Sequence, residues 1–287
     1  MEKRTLGSTN EKLSIIGFGG IVVMDESRRD AARYVSQAVD RGINYFDVAP
    51  LYGNAQEMMG PALKPYRKNV FLACKTMERS ARGAEKELHA SLKKLKTDYF
   101  DLYQFHSVIT SDEVKQITGP GGALEVFIKA QEKGLVRYLG LTAHTEKAAI
   151  ELMSSYDFTS VLFPLNWALW LRDGFGPGVL ELANKKGMGI LALKGLCRRA
   201  LEEGEQRPWK KCWYVPEDDF SAASLDLRFT LSLKGLTSAV SPSHAELLWL
   251  ACVIADNHLA PLSDQELSLL KERAGKINTI TQGLIIN

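Results

Sequence analysis

Short apolar runs alternate with amphipathic stretches along most of the chain, and the spacing within each kind predicts its element. An apolar run at 14–18 leads into Gly17, Gly19 and Gly20. The stretch 28–41 follows, with Ala31, Ala32, Val35 and Val39 at helical spacing and Gly42 as its stop. The alternation then repeats. Strands are predicted at 43–46, 70–74, 99–104, 138–141, 160–163, 188–193 and 237–240, and helices at 83–95, 122–133, 146–154, 178–186, 220–233 and 243–255.

Gly42, Gly134, Gly187 and Gly235 each stand just before a strand, where a left-handed helix cap favours glycine. Strands that alternate with helices pair in parallel, and eight such units in about 250 residues predict a closed α/β barrel, (β/α)8. A doubly wound open sheet is the competing arrangement. No Pro/Ser-rich linker or composition break divides residues 1–287, so one domain is expected, with a C-terminal helix or tail after about residue 262. Residues 278–287 carry no usable periodicity. Two connections are long, 105–121 and 194–219, and both leave the C-terminal ends of strands, the face on which barrels build sites.

Composition narrows the class without deciding it. Hydrophobic residues at 45% and charged residues at 24% are ordinary for a globular chain, and 287 residues suffice to bury a large core. A net charge of +2 offers no electrostatic case for nucleic acid or an anionic membrane as partner. Cys74, Cys197, Cys212 and Cys252 are scattered, which argues for reduced thiols rather than a disulfide framework or zinc ribbon. The N-terminus lacks the apolar core of a signal peptide, and no stretch approaches the roughly 18 apolar residues of a membrane span, so a cytoplasmic protein is expected.

The chemistry gathers at strand ends. The second strand runs into Asp47, the third into Lys75 and the fourth into His106, with Tyr52 on the loop after the second. Singly, each has an ordinary explanation: a cap, a turn, a structural hydrogen bond. Together, on consecutive units, they form an acid–base group. A phenol with a pKa near 10 is a poor proton donor at neutral pH. An ammonium beside it is expected to lower that pKa, and a carboxylate to keep the ammonium charged. A histidine across the pocket donates a hydrogen bond to a carbonyl oxygen or shares the proton transfer. Such a site polarises a carbonyl and protonates the alkoxide formed when hydride arrives. No side chain carries a hydride, so a nicotinamide cofactor and a small-molecule carbonyl substrate are implied.

These residues carry a resemblance. Asn44-Tyr45-Phe46-Asp47-Val48-Ala49 with Tyr52-Gly53, Leu72-Ala73-Cys74-Lys75-Thr76 and Asp101-Leu102-Tyr103-Gln104-Phe105-His106 resemble the motifs of the aldo-keto reductases. So do Leu6-Gly7, Ile16-Gly17-Phe18-Gly19-Gly20 and the stretch from Gly134 to Thr142; the likeness covers about 5–255. The segment Ile117-Thr118-Gly119-Pro120-Gly121-Gly122 is similar to a bacterial and archaeal branch of predicted oxidoreductases. The resemblance implies Tyr52 as acid, Lys75 and Asp47 as its tuning pair, and His106 as the group that orients the carbonyl.

It also implies a cofactor site, from which this chain departs. Gly17-Phe18-Gly19-Gly20 is no Rossmann fingerprint, because Val22 stands where GxGxxG needs glycine. In the reductases this loop, with Gly19, Gly20 and Ile21, passes the nicotinamide ribose. The usual Ser-Asn after the fifth strand is replaced by Thr142-Ala143-His144. Thr142 keeps a hydroxyl for the carboxamide, and Asn166 is the expected replacement for the lost amide. Trp167 and Trp170 line a pocket or belong to the core. Lys194 and Gly195 replace a Ser-Pro, and Lys194 suits a pyrophosphate oxygen. After the last strand, Ser241, Pro242, Ser243 and Glu246 surround a helix start that Ser243 is expected to cap. No Lys or Arg stands there for an adenosine 2′-phosphate; Arg198, Arg199 or His244 are the substitutes. The family favours NADP(H), with NAD(H) as the alternative.

Three other functions compete with this one. A metal hydrolase would need converging ligands, and His89, His106, His144, His244 and His258 show no HxH or HExxH spacing. A C-terminal iron–sulphur module would need a Cys-rich tail. The rival of a different class is a nicotinamide-binding sensor or regulatory protein with the reductase fold and little turnover, because fold alone does not decide function.

Overall fold

A computed structural model describes residues 1–257 and 259–280. His258 and the 281–287 part of the tail lie outside them. The chain opens with an antiparallel hairpin, β1 (Lys3–Thr5) and β2 (Lys12–Ser14), and then enters the barrel at β3 (Ile16–Gly19). A 3-10 turn, Gly20–Val23, leads to α1 (Arg28–Asp40), then β4 (Tyr45–Asp47), α2 (Ala55–Leu63) and β5 (Phe71–Thr76). Next come α3 (Ala81–Leu95), β6 (Phe100–Val108), α4 (Ser111–Thr118), α5 (Ala123–Glu132), β7 (Val136–Ala143) and α6 (Glu146–Ser155). The remainder is β8 (Ser160–Pro164), α7 (Trp167–Asp173), α8 (Pro177–Lys185), β9 (Gly189–Leu193), β10 (Cys197–Arg199), β11 (Val215–Pro216), α9 (Phe220–Ser232), β12 (Leu236–Val240), α10 (Ala245–Asn257) and α11 (Asp264–Gly275).

Eight parallel strands close into a barrel in the order β12-β3-β4-β5-β6-β7-β8-β9, which is the (β/α)8 architecture. The open-sheet alternative is thereby excluded. Gly42, Gly134, Gly187 and Gly235 all adopt positive φ, between 65° and 86°, at the helix-to-strand turns. Helices α2 and α7 lie where no helix is expected from the sequence, and four further features differ. The first apolar run divides, since β2 belongs to a hairpin that plugs the barrel floor with the fully buried Leu6 and Leu13. The connection 105–121 is mostly structured: β6 extends through His106, and α4 begins on a capping box between Thr110 and Glu113. In 194–219, β10 and β11 form a second hairpin. On α1 the buried face is Ala31, Val35 and Ala38, with Ala32 exposed.

Inside the barrel, side chains two apart share a face. Tyr45, Phe71, Ala73, Leu102, Leu162 and Leu191 form the interior layer above the hairpin. Their neighbours Phe46, Leu72, Cys74, Tyr103 and Phe105 point outward into the layer between barrel and helices. Two residues up from the interior layer, the same parity brings Asp47 (β4), Lys75 (β5) and Gln104 and then His106 (β6) to the C-terminal mouth. All four cysteines are buried and unpaired. Among the described residues, no helix is long and apolar enough to cross a membrane, and no group of three or more His, Cys, Asp or Glu is placed to hold a metal ion.

Candidate active site

A cavity of about 420 Å³ opens at the C-terminal mouth of the barrel, and Asp47, Tyr52, Lys75 and His106 all line it. The Lys75 ammonium forms a buried ion pair with Asp47 Oδ2. It also donates to the Tyr52 hydroxyl at 3.5 Å and lies 5.1 Å from the centre of that ring. The rings of Tyr52 and His106 meet edge to face, 5.7 Å apart at 88°.

Two residues that sequence reasoning passed over complete the group. Gln104 Nε2 donates to Asp47 Oδ1 at 3.1 Å, and the Tyr45 hydroxyl donates to the same oxygen at 3.4 Å. The signal for both was in the chain. Tyr45 stands two residues before Asp47, and Gln104 two before His106, so each shares its neighbour's face.

Burial sets the protonation states. It raises the Tyr52 pKa above the ordinary phenol value; Lys75 opposes that rise and Asp47 adds to it. This corrects the expectation that the ammonium pulls the phenol down: losing water outweighs gaining a neighbouring charge. At Lys75 the balance runs the other way. Burial disfavours its ammonium, but Asp47, then Tyr52, hold the pKa above the usual value. His106 is pushed well below 6.5, first by burial and then by Lys75, His144 and Arg79, so its ring is neutral. Among the described residues, its buried Nδ1 has no hydrogen-bond partner.

A bulge aims His106. The β6–β7 register shifts between Phe105 and Val108, and Ser107 takes a φ of 54°. Thr142 Oγ1 accepts from the Ser107 amide at 2.6 Å, and Ser107 Oγ lies 3.0 Å from His144 Nδ1. Arg79 grips the His106 carbonyl at 2.7 Å and pairs with Glu113.

The expected cofactor residues divide into two groups. Gly19, Gly20, Ile21, Thr142, Lys194, Ser241 and Ser243 line the cavity; Asn166, Gly195, Pro242 and Glu246 stand outside the lining. Asn166 is occupied, since its Oδ1 caps α7 by accepting from Leu169 N at 2.9 Å and its Nδ2 donates to the Lys194 carbonyl. Those bonds use one of the two acceptor positions of Oδ1 and one of the two N–H groups of Nδ2. Helix α10 starts at Ala245, so its cap position falls on His244 rather than Ser243.

The two glycines answer first to their own fold. A Cβ on Gly19 would come within 2.7 Å of the Ser241 carbonyl, and one on Gly20 within 2.9 Å of the Asp47 carbonyl. Among the substitutes for a phosphate-binding cation, Arg199 is held by Glu205, and His244 accepts from Lys211 N at 3.0 Å. Neither Trp167 nor Trp170 reaches the cavity: Trp167 is core, Trp170 packs partly buried against it, and Trp213 lines the mouth. Leu51, His144, Leu162, Leu193, Tyr214 and Val240 complete the lining.

A model of the Aldo/keto reductase family matches residues 15–267. The chain belongs to the aldo/keto reductase family. It is 29% identical over 176 residues to the uncharacterized oxidoreductase YqkF of Bacillus subtilis (strain 168), a match that covers 56% of this chain and 55% of that one. Against L-galactose dehydrogenase of Arabidopsis thaliana it is 27% identical over 227 residues, covering 73% and 70%. The fold superposes on the holo form of an aldo-keto reductase from Bacillus halodurans with a TM-score of 0.75 at 22% identity, over 95% of this chain and 96% of that one. An aldo-keto reductase from Klebsiella pneumoniae, solved in complex with NADPH, superposes with a TM-score of 0.73 at 19% identity, over 95% of each chain. The match spans little more than half the length of the Bacillus subtilis relative, and this aldo/keto reductase shares its fold more fully than its sequence.

Proposed function

We propose that this chain is a nicotinamide-dependent carbonyl reductase that acts on an aldehyde or ketone, with Tyr52 as the proton donor. The observation that carries the reading is the convergence, in one cavity, of a protonated phenol, an ammonium–carboxylate pair and a neutral imidazole. The cavity also suits the cofactor that the family implies. Its wall over β3, β7, β9 and β12 offers the hydroxyls of Thr142, Ser241 and Ser243 and the cation of Lys194. NADP(H), or NAD(H) in its place, supplies the hydride when bound.

The chain's own residues handle the proton. Tyr52, kept protonated by burial, gives its hydroxyl proton to the substrate oxygen. Lys75, held as an ammonium by Asp47, stabilises the phenolate left behind. His106 offers a neutral N–H to the carbonyl oxygen, polarising it as negative charge develops there. Gln104 and Tyr45 hold Asp47 in place. The NADPH of the Klebsiella pneumoniae relative makes that dinucleotide the first to test.

The test is NADPH and NADH oxidation against a panel of aldehydes and ketones, with dinucleotide binding followed separately by tryptophan fluorescence. Tyr52→Phe should lower turnover by about 10²- to 10⁴-fold, the range for one general acid, while binding persists. Binding without turnover on any carbonyl would favour the sensor. No response to either dinucleotide would remove the cofactor from the account.

A further inference from the structure

Among the described residues no hydrogen bond to Nδ1 fixes the aim of the buried His106 ring, and Tyr52 meets it edge to face. The direction of the imidazole therefore follows largely from the backbone that carries it. That backbone is unusual. Ser107, the next residue, sits at a φ of 54° in the bulge of β6. A non-glycine residue holds a left-handed conformation only where its surroundings over-determine it.

One ion pair supplies much of that restraint. Arg79 Nη2 donates to the His106 carbonyl at 2.7 Å and, at longer range, to the Ser107 carbonyl at 3.4 Å. Its Nε and Nη2 also donate to Glu113 Oε1, at 3.1 and 2.9 Å. The other oxygen of Glu113, Oε2, accepts from the Ile109 and Thr110 amides at 2.8 and 3.0 Å. The pair thus closes on 106–110 from two sides, the guanidinium on the carbonyls and the carboxylate on the amides. The Arg79 side chain is only 10% exposed, so its bonds form away from the bulk water that would weaken them.

Arg79 is itself seated by a motif outside the cavity lining. Gly119-Pro120-Gly121-Gly122 joins α4 to α5, with Gly122 N donating to the Gly119 carbonyl at 2.9 Å. Pro120 and the left-handed Gly121, with a φ of 71°, take the central positions that a type II turn assigns to those residue types. A Cβ on Gly122 would come within 2.3 Å of the Ile117 carbonyl. The turn then runs antiparallel to 79–81. Ser80 bridges Gly122, Ala81 N donates to the Gly121 carbonyl at 2.8 Å, and Ala123 N donates to the Arg79 carbonyl at 2.9 Å. These bonds fix the Arg79 backbone while Glu113 fixes its guanidinium.

We propose that Arg79 is a positioning residue for His106: seated by the Gly119–Gly122 turn and held by Glu113, it maintains the bulge at 106–108 and so sets the direction in which the imidazole meets the substrate oxygen. Neither Arg79 nor the turn lines the cavity, so both act through His106. The Arg79 charge has a second consequence. After burial, Lys75 and His144, it too disfavours the imidazolium. The proposal rests on the reductase reading for what His106 does, and not for how it is held.

The test places Arg79→Met, Arg79→Lys and Gly122→Ala in wild type and in a His106→Gln background. Turnover with NADPH is measured per folded molecule on a carbonyl that the wild type reduces. The His106 ring signals, assigned by their absence from His106→Gln, are followed by NMR without substrate. Arg79→Met should lower kcat by about 10- to 100-fold with dinucleotide affinity unchanged, the scale of a small misplacement of one catalytic group. Arg79→Lys and Gly122→Ala should show the same split to a smaller extent; both leave Glu113 facing a cation, so they decide the matter if Arg79→Met does not fold. In the His106→Gln background none of the three should lower kcat further, and in the wild-type background each should move the ring signals. An unchanged kcat, an equal fall with His106→Gln present, or unmoved ring signals overturns the proposal. The NMR arm needs no turnover: ring signals that move in a protein that reduces nothing would sink the reductase reading and leave Arg79 as assigned.

Discussion

The Tyr52 hydroxyl accepts from the Lys75 ammonium at 3.5 Å, the long limit of a hydrogen bond, while Lys75 is held much more closely by Asp47. The ammonium therefore belongs to the carboxylate while the phenol retains its proton. That division suits a proton donor, because the charge next to Tyr52 is in place before the phenolate needs it.

The Asp47–Lys75 pair is buried, and breaking it from one side leaves an unpaired ion. Asp47→Ala is expected to destabilise the fold by about 3–5 kcal/mol. Asp47→Asn combined with Lys75→Met should recover most of that stability while remaining inactive. Urea unfolding of the two variants beside wild type tests this; an Asp47→Ala protein as stable as wild type would show the pair to be energetically idle.

His106 titrates below its unfolded value of 6.5, mainly because it is buried. Below pH 6.5 the unfolded chain takes up a proton that the folded chain refuses, so this residue lowers stability as the pH falls through that window and has no effect above it. His106→Gln should flatten the acid side of the stability profile. An unchanged slope between pH 6.5 and 5 would show that His106 does not dominate it.

Asp101, at the opposite end of β6, accepts from Arg67 at 2.8 Å, from Arg137 at 2.7 Å and from the Leu72 amide at 2.9 Å. It ties β6 to β5 through the Leu72 amide, to β7 through Arg137 and to the turn before β5 through Arg67. Asp101→Ala leaves the part-buried Arg67 without its carboxylate and is expected to cost about 3 kcal/mol or more, with turnover per folded molecule unchanged. A cost below 1 kcal/mol in chemical denaturation would refute the role.

Asp226 is buried between α9 and α11, where Arg273 donates to it at 3.0 Å and also pairs with Glu217. Burial raises the Asp226 pKa to about 8, and Arg273 only partly offsets that. Since the unfolded carboxyl ionises near 3.8, stability attributable to Asp226 falls as the pH rises from about 4 to about 8 and then levels off. Asp226→Asn should gain on wild type across that interval. Parallel stability curves for the two proteins would contradict it.

The chain's own pattern announced the barrel and the four polar residues at its mouth. Period-two alternation and glycine at helix stops are local rules, and eight repetitions of one local unit leave few ways to close. Asp47, Lys75 and His106 were visible because each ends an apolar run, and parity along β4, β5 and β6 sends them to one side. Three-dimensional packing decided the rest. Whether burial or Lys75 controls the Tyr52 proton depends on how much water the closed barrel excludes, which no spacing encodes. Asn166 has the right chemistry for a carboxamide, yet only the folded chain shows that it caps α7 and stands outside the cavity lining. Lys194 stands out in the sequence as a cation after the seventh strand, but the closed ring is what sets it across the mouth from Lys75 in the same cavity lining.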